Sequence, residues 1–136
     1  MRDGDVADAF AVQQVLARYC ALVDDGQADE LNEIFAPDAV MTIAGMASSL
    51  VRREGVTAII EFIQERQKPE WRGKHILSIP RIECRGPEAS AECDVLFVNR
   101  SASDGGLSVA TTGRYSDVLR RQGDRWMITE RSIVMY

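Results

Sequence analysis

The chain has 136 residues, 46% hydrophobic and 27% charged, with a formal net charge of −5. That describes one soluble globular domain spanning residues 1–136, large enough to bury roughly two thirds of its unfolded surface. An acidic chain whose densest basic spots, Arg52-Arg53 and Arg120-Arg121, sit beside acidic or turn residues is expected to bind no nucleic acid.

The N-terminus, MRDGDVADAF, carries three aspartates and does not read as a secretory signal. From Asp5, a plausible N-cap, apolar residues recur at helical spacing through Val6, Phe10, Val12, Val15, Leu16, Tyr19, Leu22 and Val23. Gly26 ends this first helix. Asp29 opens a short second one containing Leu31, Ile34 and Phe35, which Pro37 stops. Ala39 to Ala44 reads as a strand, and Ser49 to Arg53 as its return past a turn at Gly45. Gly55 and Thr57 open a third helix with Val56, Ile59, Ile60 and Ile63 on one face, fading by Lys68-Pro69.

From Gly73 the pattern changes. Four extended segments follow, His75 to Cys84, Ala89 to Ser101, Leu107 to Arg120 and Arg125 to Tyr136, separated by turn signals at Gly86-Pro87, Asp104-Gly105-Gly106 and Gln122-Gly123-Asp124. They predict three hairpins in an antiparallel sheet. Helices in the first half and strands in the second give an α+β fold, a cone-shaped roll of a long curved antiparallel sheet around three helices. The hollow of such a cone is a common small-molecule site. No apolar run approaches the roughly 20 residues of a membrane helix, so no membrane partner is expected. Three cysteines, Cys20, Cys84 and Cys93, without CxxC spacing read as buried free thiols of a cytoplasmic protein. A single histidine with scattered cysteines gives no dedicated metal site.

RYCALVDDGQADELNEIFAPDAV (18–40), the Gly-Val-Thr-Ala-Ile-Ile helix (55–60), GKHIL (73–77) and GRYSDVLRRQGDRWMITER (113–131) together resemble the SnoaL-like group of the nuclear transport factor 2-like superfamily. The likeness covers nearly the whole chain. It is greatest to cofactor-free lyases of that group: bile acid 7α-dehydratase, hexachlorocyclohexane dehydrochlorinase and scytalone dehydratase. Those enzymes use an aspartate at the end of the first helix and a histidine on the strand after the third helix. Asp24 and His75 stand at those places here. In the bile acid enzyme a tyrosine five residues before the aspartate and an arginine on the last strand complete the site, matched by Tyr19 and Arg131. The ketosteroid isomerases share the fold but place a carboxylate on the first strand, where this chain has Met41-Thr42-Ile43-Ala44.

The resemblance implies a cofactor-independent lyase or isomerase acting on a hydrophobic, ring-containing molecule. Neutral His75 would take a proton from carbon, with Asp24 fixing its tautomer. Tyr19 would donate to a leaving hydroxyl or developing oxyanion, and Arg131 would hold negative charge. Other readings stay open: Asp24 as a turn residue, Tyr19 as core, and Arg131 in an exposed ion pair beside Glu130. Trp71 and Trp126 read as core or lid residues. Five helical residues turn through about 500°, so Tyr19 and Asp24 point about 140° apart unless the helix loosens or the cavity wraps around it. For the walls we expect Phe62, Leu96 and Val98 to face the ligand, with Phe97 packing elsewhere. The same cone could serve a non-catalytic binder of small hydrophobic molecules, or a structural partner like the small subunit of ring-hydroxylating dioxygenases. An apolar outer sheet face would be covered by further copies in a homo-oligomer, with a trimer slightly preferred to a dimer.

Overall fold

The structure, a computed structural model, describes residues 3–45, 48–67 and 73–136. Lys68-Pro69 and Trp71 lie outside the described residues. The first helix, α1, runs Asp3–Asp24. Its inner face buries Val12, Leu16, Tyr19, Cys20 and Val23, spaced three and four apart as packing against a sheet requires. By length and composition α1 could cross a membrane, which the sequence reading did not anticipate; 33% of that stretch is buried within the fold.

The end of α1 is closed by a Schellman pattern: Gln27 N–H donates to Leu22 O at 2.7 Å and Gly26 N–H to Val23 O at 3.2 Å. Gly26 takes φ 75°, the left-handed conformation this ending needs. Asp24 is thereby the last helical residue. The following 3-10 helix, Ala28–Glu33, ends earlier than the sequence suggests. Phe35 and Pro37 belong to β1 (Phe35–Gly45), not to a helix. Pro37 is tolerated there because the pairing of β1 with its neighbour slips between Phe35 and Val40, leaving a bulge where no ladder donor is needed.

After β1 come β2 (Ser48–Glu54) and the second α-helix, α2 (Val56–Arg66). The extended segment expected over residues 75–84 is two strands, β3 (Lys74–Leu77) and β4 (Arg81–Arg85). Ser78-Ile79-Pro80 breaks it, and Ile79 is 90% exposed. Then follow β5 (Glu88–Arg100), β6 (Leu107–Gln122) and β7 (Arg125–Met135), joined by hairpins as expected.

The seven strands form one open sheet in the order β2-β1-β7-β6-β5, with β3 and β4 lying end to end along β5. Pairing is antiparallel except between β1 and β7. Bulges in the β1–β7, β5–β6 and β6–β7 pairs curve it around the helices. The architecture is the α+β cone read from the sequence. Its core lies between α1, α2 and the inner sheet face, through Leu16, Leu31, Phe35, Ile59, Leu119 and Ile128. The outer face leaves Ile76, Leu96, Val134 and Tyr136 exposed.

Candidate active site

Asp24 ends α1 with its carboxylate at the negative pole of the helix, where an anion is disfavoured. What holds it there is β3. The His75 backbone N–H donates to Asp24 Oδ2 at 3.0 Å, and His75 Nδ1 lies 2.6 Å from Asp24 Oδ1. An ionised carboxylate is acceptor-only, so Nδ1 is the donor facing it, and in the neutral imidazole Nε2 keeps the lone pair. Both side chains are mostly buried, 12% exposed for His75 and 6% for Asp24. Rings fix the imidazole from two sides, Phe97 with its centroid at 5.0 Å and Tyr19 at 6.1 Å, both edge-on.

Tyr19 and Asp24 meet the same imidazole although α1 stays helical to its end. The 140° between them is spanned by His75 itself, which receives Asp24 on one side and the Tyr19 ring on the other. Gln67, at the end of α2, donates to Val23 O at 2.8 Å and ties the two helix ends together beside this pair.

A cavity of about 480 Å³ opens inside the cone. His75, Tyr19, Phe62, Phe97, Tyr115 and Ile133 are among its lining residues. The expectation for β5 is corrected here. Val95 and Phe97 line the cavity, whereas Leu96 and Val98 do not. Leu96 is 41% exposed on the outer face, because the inward residues of β5 are Ala89, Ala91, Cys93, Val95 and Phe97.

Arg131 is also placed differently from the sequence reading. It is fully buried and bonded to Asp117 rather than to Glu130, through Nε to Oδ1 at 2.7 Å and Nη2 to Oδ2 at 2.8 Å. It does not line the cavity. Its guanidinium carbon stacks 4.2 Å from the Tyr19 ring centroid and 4.3 Å from that of Tyr115, two rings that do line it. Burial opposes the Arg131 charge, but the Asp117 carboxylate outweighs it and holds the pKa above the usual arginine range. Burial raises the Tyr19 phenol despite the nearby guanidinium, so it remains a proton donor through neutral pH. Tyr115 is pushed up further, again chiefly by burial.

Asp117 and Tyr115 were not singled out from the sequence, and Phe97 was expected to pack elsewhere. The available signal was parity: Tyr115, Asp117 and Leu119 alternate along β6, so an inward Tyr115 carries Asp117 inward too. A larger groove, about 680 Å³, runs past Thr42, Arg52, Arg81, Glu92 and Ser132. Its three arginines are neutralised, Arg52 by Glu54, Arg81 by Glu92 and Arg131 by Asp117, and no histidine is among its described lining residues.

No curated protein matches this chain in sequence. Solved structures share its fold. A nuclear transport factor 2-like protein with a cystatin-like fold from Novosphingobium aromaticivorans is 20% identical, with a TM-score of 0.77 over 96% of this chain and 82% of that one. A candidate scytalone dehydratase from the same organism is 17% identical, with a TM-score of 0.75 over 96% and 85%. The beta subunit of a candidate aromatic-ring-hydroxylating dioxygenase, also from that organism, is 16% identical, with a TM-score of 0.80 over 96% and 92%. The SnoaL-like domain family matches residues 4–132, nearly the full length, and the chain belongs to that family.

Proposed function

We propose that this chain is a lyase or isomerase acting on a hydrophobic, ring-containing small molecule, with His75 as the general base. The observation that carries the reading is the 2.6 Å Asp24–His75 contact at the wall of an apolar cavity. Asp24 clamps one residue with both carboxylate oxygens, which fixes the ring's rotation and tautomer and stabilises the imidazolium formed on proton transfer. Nε2 then takes a proton from a carbon of the bound substrate. The electron pair left behind forms a double bond and expels a β-leaving group, or delocalises and is reprotonated elsewhere. Tyr19 donates to the leaving hydroxyl or the developing oxyanion. Arg131 acts behind Tyr19 and Tyr115 as a positioning residue. A purely binding role would give the buried Asp24 clamp no task, and a purely structural subunit would give the open cavity none.

The test is turnover on a panel of ring-containing β-hydroxy ketones, followed by mass spectrometry. His75→Gln abolishes turnover while thermal unfolding stays near that of the native chain. Asp24→Asn lowers kcat about 10²- to 10⁴-fold. A folded His75→Gln protein with full activity removes His75 as the base.

A further inference from the structure

Among the described residues lining the cavity, Arg66 alone carries a fixed charge. No aspartate or glutamate is among those described residues, and Asp24 is bonded to His75 and mostly buried. Arg66 is exposed in the last turn of α2, where the helix pole favours a cation. Its guanidinium carbon stands 3.9 Å from the Phe62 ring centroid. The guanidinium carbon of Arg53, on β2, stands 4.7 Å from the same centroid. Phe62 itself lines the cavity.

Two like charges are thus gathered around one ring at the cavity wall. Among the described residues neither has a carboxylate within ion-pair distance, and Arg53 donates only to the Arg52 carbonyl. Arg18, Arg52, Arg81, Arg85, Arg114, Arg120, Arg121 and Arg131 all have carboxylate partners. Arg100 and Arg125 also lack a carboxylate among the described residues, but each donates to a backbone carbonyl, of Gly105 and Glu33, and neither lines the cavity. The chain has 21 acidic and 16 basic side chains, yet among the described residues none of the carboxylates pairs with Arg53 or Arg66. Two neighbouring cations without a counter-ion repel, and an incoming anion relieves that repulsion.

We propose that the cavity takes an acidic ligand, an apolar ring body bearing a carboxylate, with Arg66 as the anchor of the acid group. The ring body lies among Phe62, Phe97, Ile133 and their neighbours, and the carboxylate accepts a fork of two N–H donors from Arg66. Arg53 strengthens the site by its charge. This rests on the reading of the cavity as a ring-binding site and adds the class of molecule it selects.

Calorimetry on the full chain tests it with two probes of equal shape, naphthalene-2-carboxylate and naphthalene-2-carboxamide. The carboxylate binds about tenfold tighter than the amide at 50 mM salt, and the gap narrows at 500 mM. Arg66→Gln abolishes the gap without weakening the amide, and Arg66→Lys retains part of it. The side chain is exposed, so both variants fold, which thermal unfolding checks. Equal affinity of the two probes for the native chain, or a gap that survives Arg66→Gln, overturns the anion site while leaving the ring cavity standing. Failure of both probes to bind overturns the ring cavity, and the anion site with it.

Discussion

Arg131 and Asp117 stand opposite each other on β7 and β6, and both are buried. Taking two charges out of water is costly, and here it is offset by a fork of two short hydrogen bonds. Arg131 Nη1 has no hydrogen-bond partner among the described residues. The faces of Tyr19 and Tyr115 stand in for one, since a ring face attracts a cation. The pair therefore anchors both tyrosines of the cavity wall. Asp117→Asn leaves the guanidinium buried and uncompensated, and should destabilise the fold by about 3–5 kcal/mol. Asp117→Leu combined with Arg131→Met removes both charges and should recover most of that loss. Urea unfolding of the single and double variants measures it; additive losses would mean the two charges do not depend on each other. The sequence named Arg131 but not its partner. Asp117 sits in YSDVL, a strand stretch with apolar residues on both sides, and Glu130 was the nearer carboxylate along the chain.

At the scale of the element, β5 decides the shape of the cavity, and its two faces were hard to tell apart beforehand. One carries Cys93, Val95 and Phe97 and the other Leu96 and Val98, so alternation gave two apolar options. Glu92 and Asp94 were the polar clues, and both do lie outside, paired with Arg81 and Arg114. Packing at Gly73 explains why Phe97 sits where it does. A Cβ built on Gly73 would collide with the tip of the Phe97 ring. The glycine thus leaves room for the ring that faces His75. Gly73→Ala should drive Phe97 off the imidazole, cost about 1–3 kcal/mol and lower turnover more than His75's own accessibility would suggest. A crystal structure of the variant with Phe97 unmoved would refute this account. The Asp24–His75 pair was easier to read. Gly26 marks the end of α1 and GKHIL marks the start of a strand, so local signals located both Asp24 and His75. That they meet depends on β3 pairing with β5 and passing the end of α1, which no local pattern contains.

Across the whole molecule, the helix-then-strand grammar was legible because it is written in periodicity and in glycine turns. The parallel joining of β1 to β7 was not, since it links residues about ninety positions apart without a turn signal. This closure encloses a core in which four weak acids are buried together. Tyr19, Cys20, Cys93 and Tyr115 all have pKa values raised by burial, Cys20 to about 12 and Cys93 to about 11. In the unfolded chain these groups return to ordinary values, about 8.5 for a thiol and about 10 for a phenol. The folded state therefore keeps protons that the unfolded state gives up. Their contribution to stability is fully present below about pH 8 and is lost as pH rises through the thiol range. For Cys20 alone, the loss between pH 7 and pH 10 is about 2 kcal/mol. Urea unfolding at the two pH values should show that fall in the native chain. In Cys20→Ala the stability at pH 7 is lower, because a buried sulfur is deleted, yet the fall on going to pH 10 shrinks by about that same 2 kcal/mol. An unchanged fall in Cys20→Ala would mean that this thiol already ionises as readily in the folded state as in the unfolded one, and that the seal of the core around it is not what burial implies.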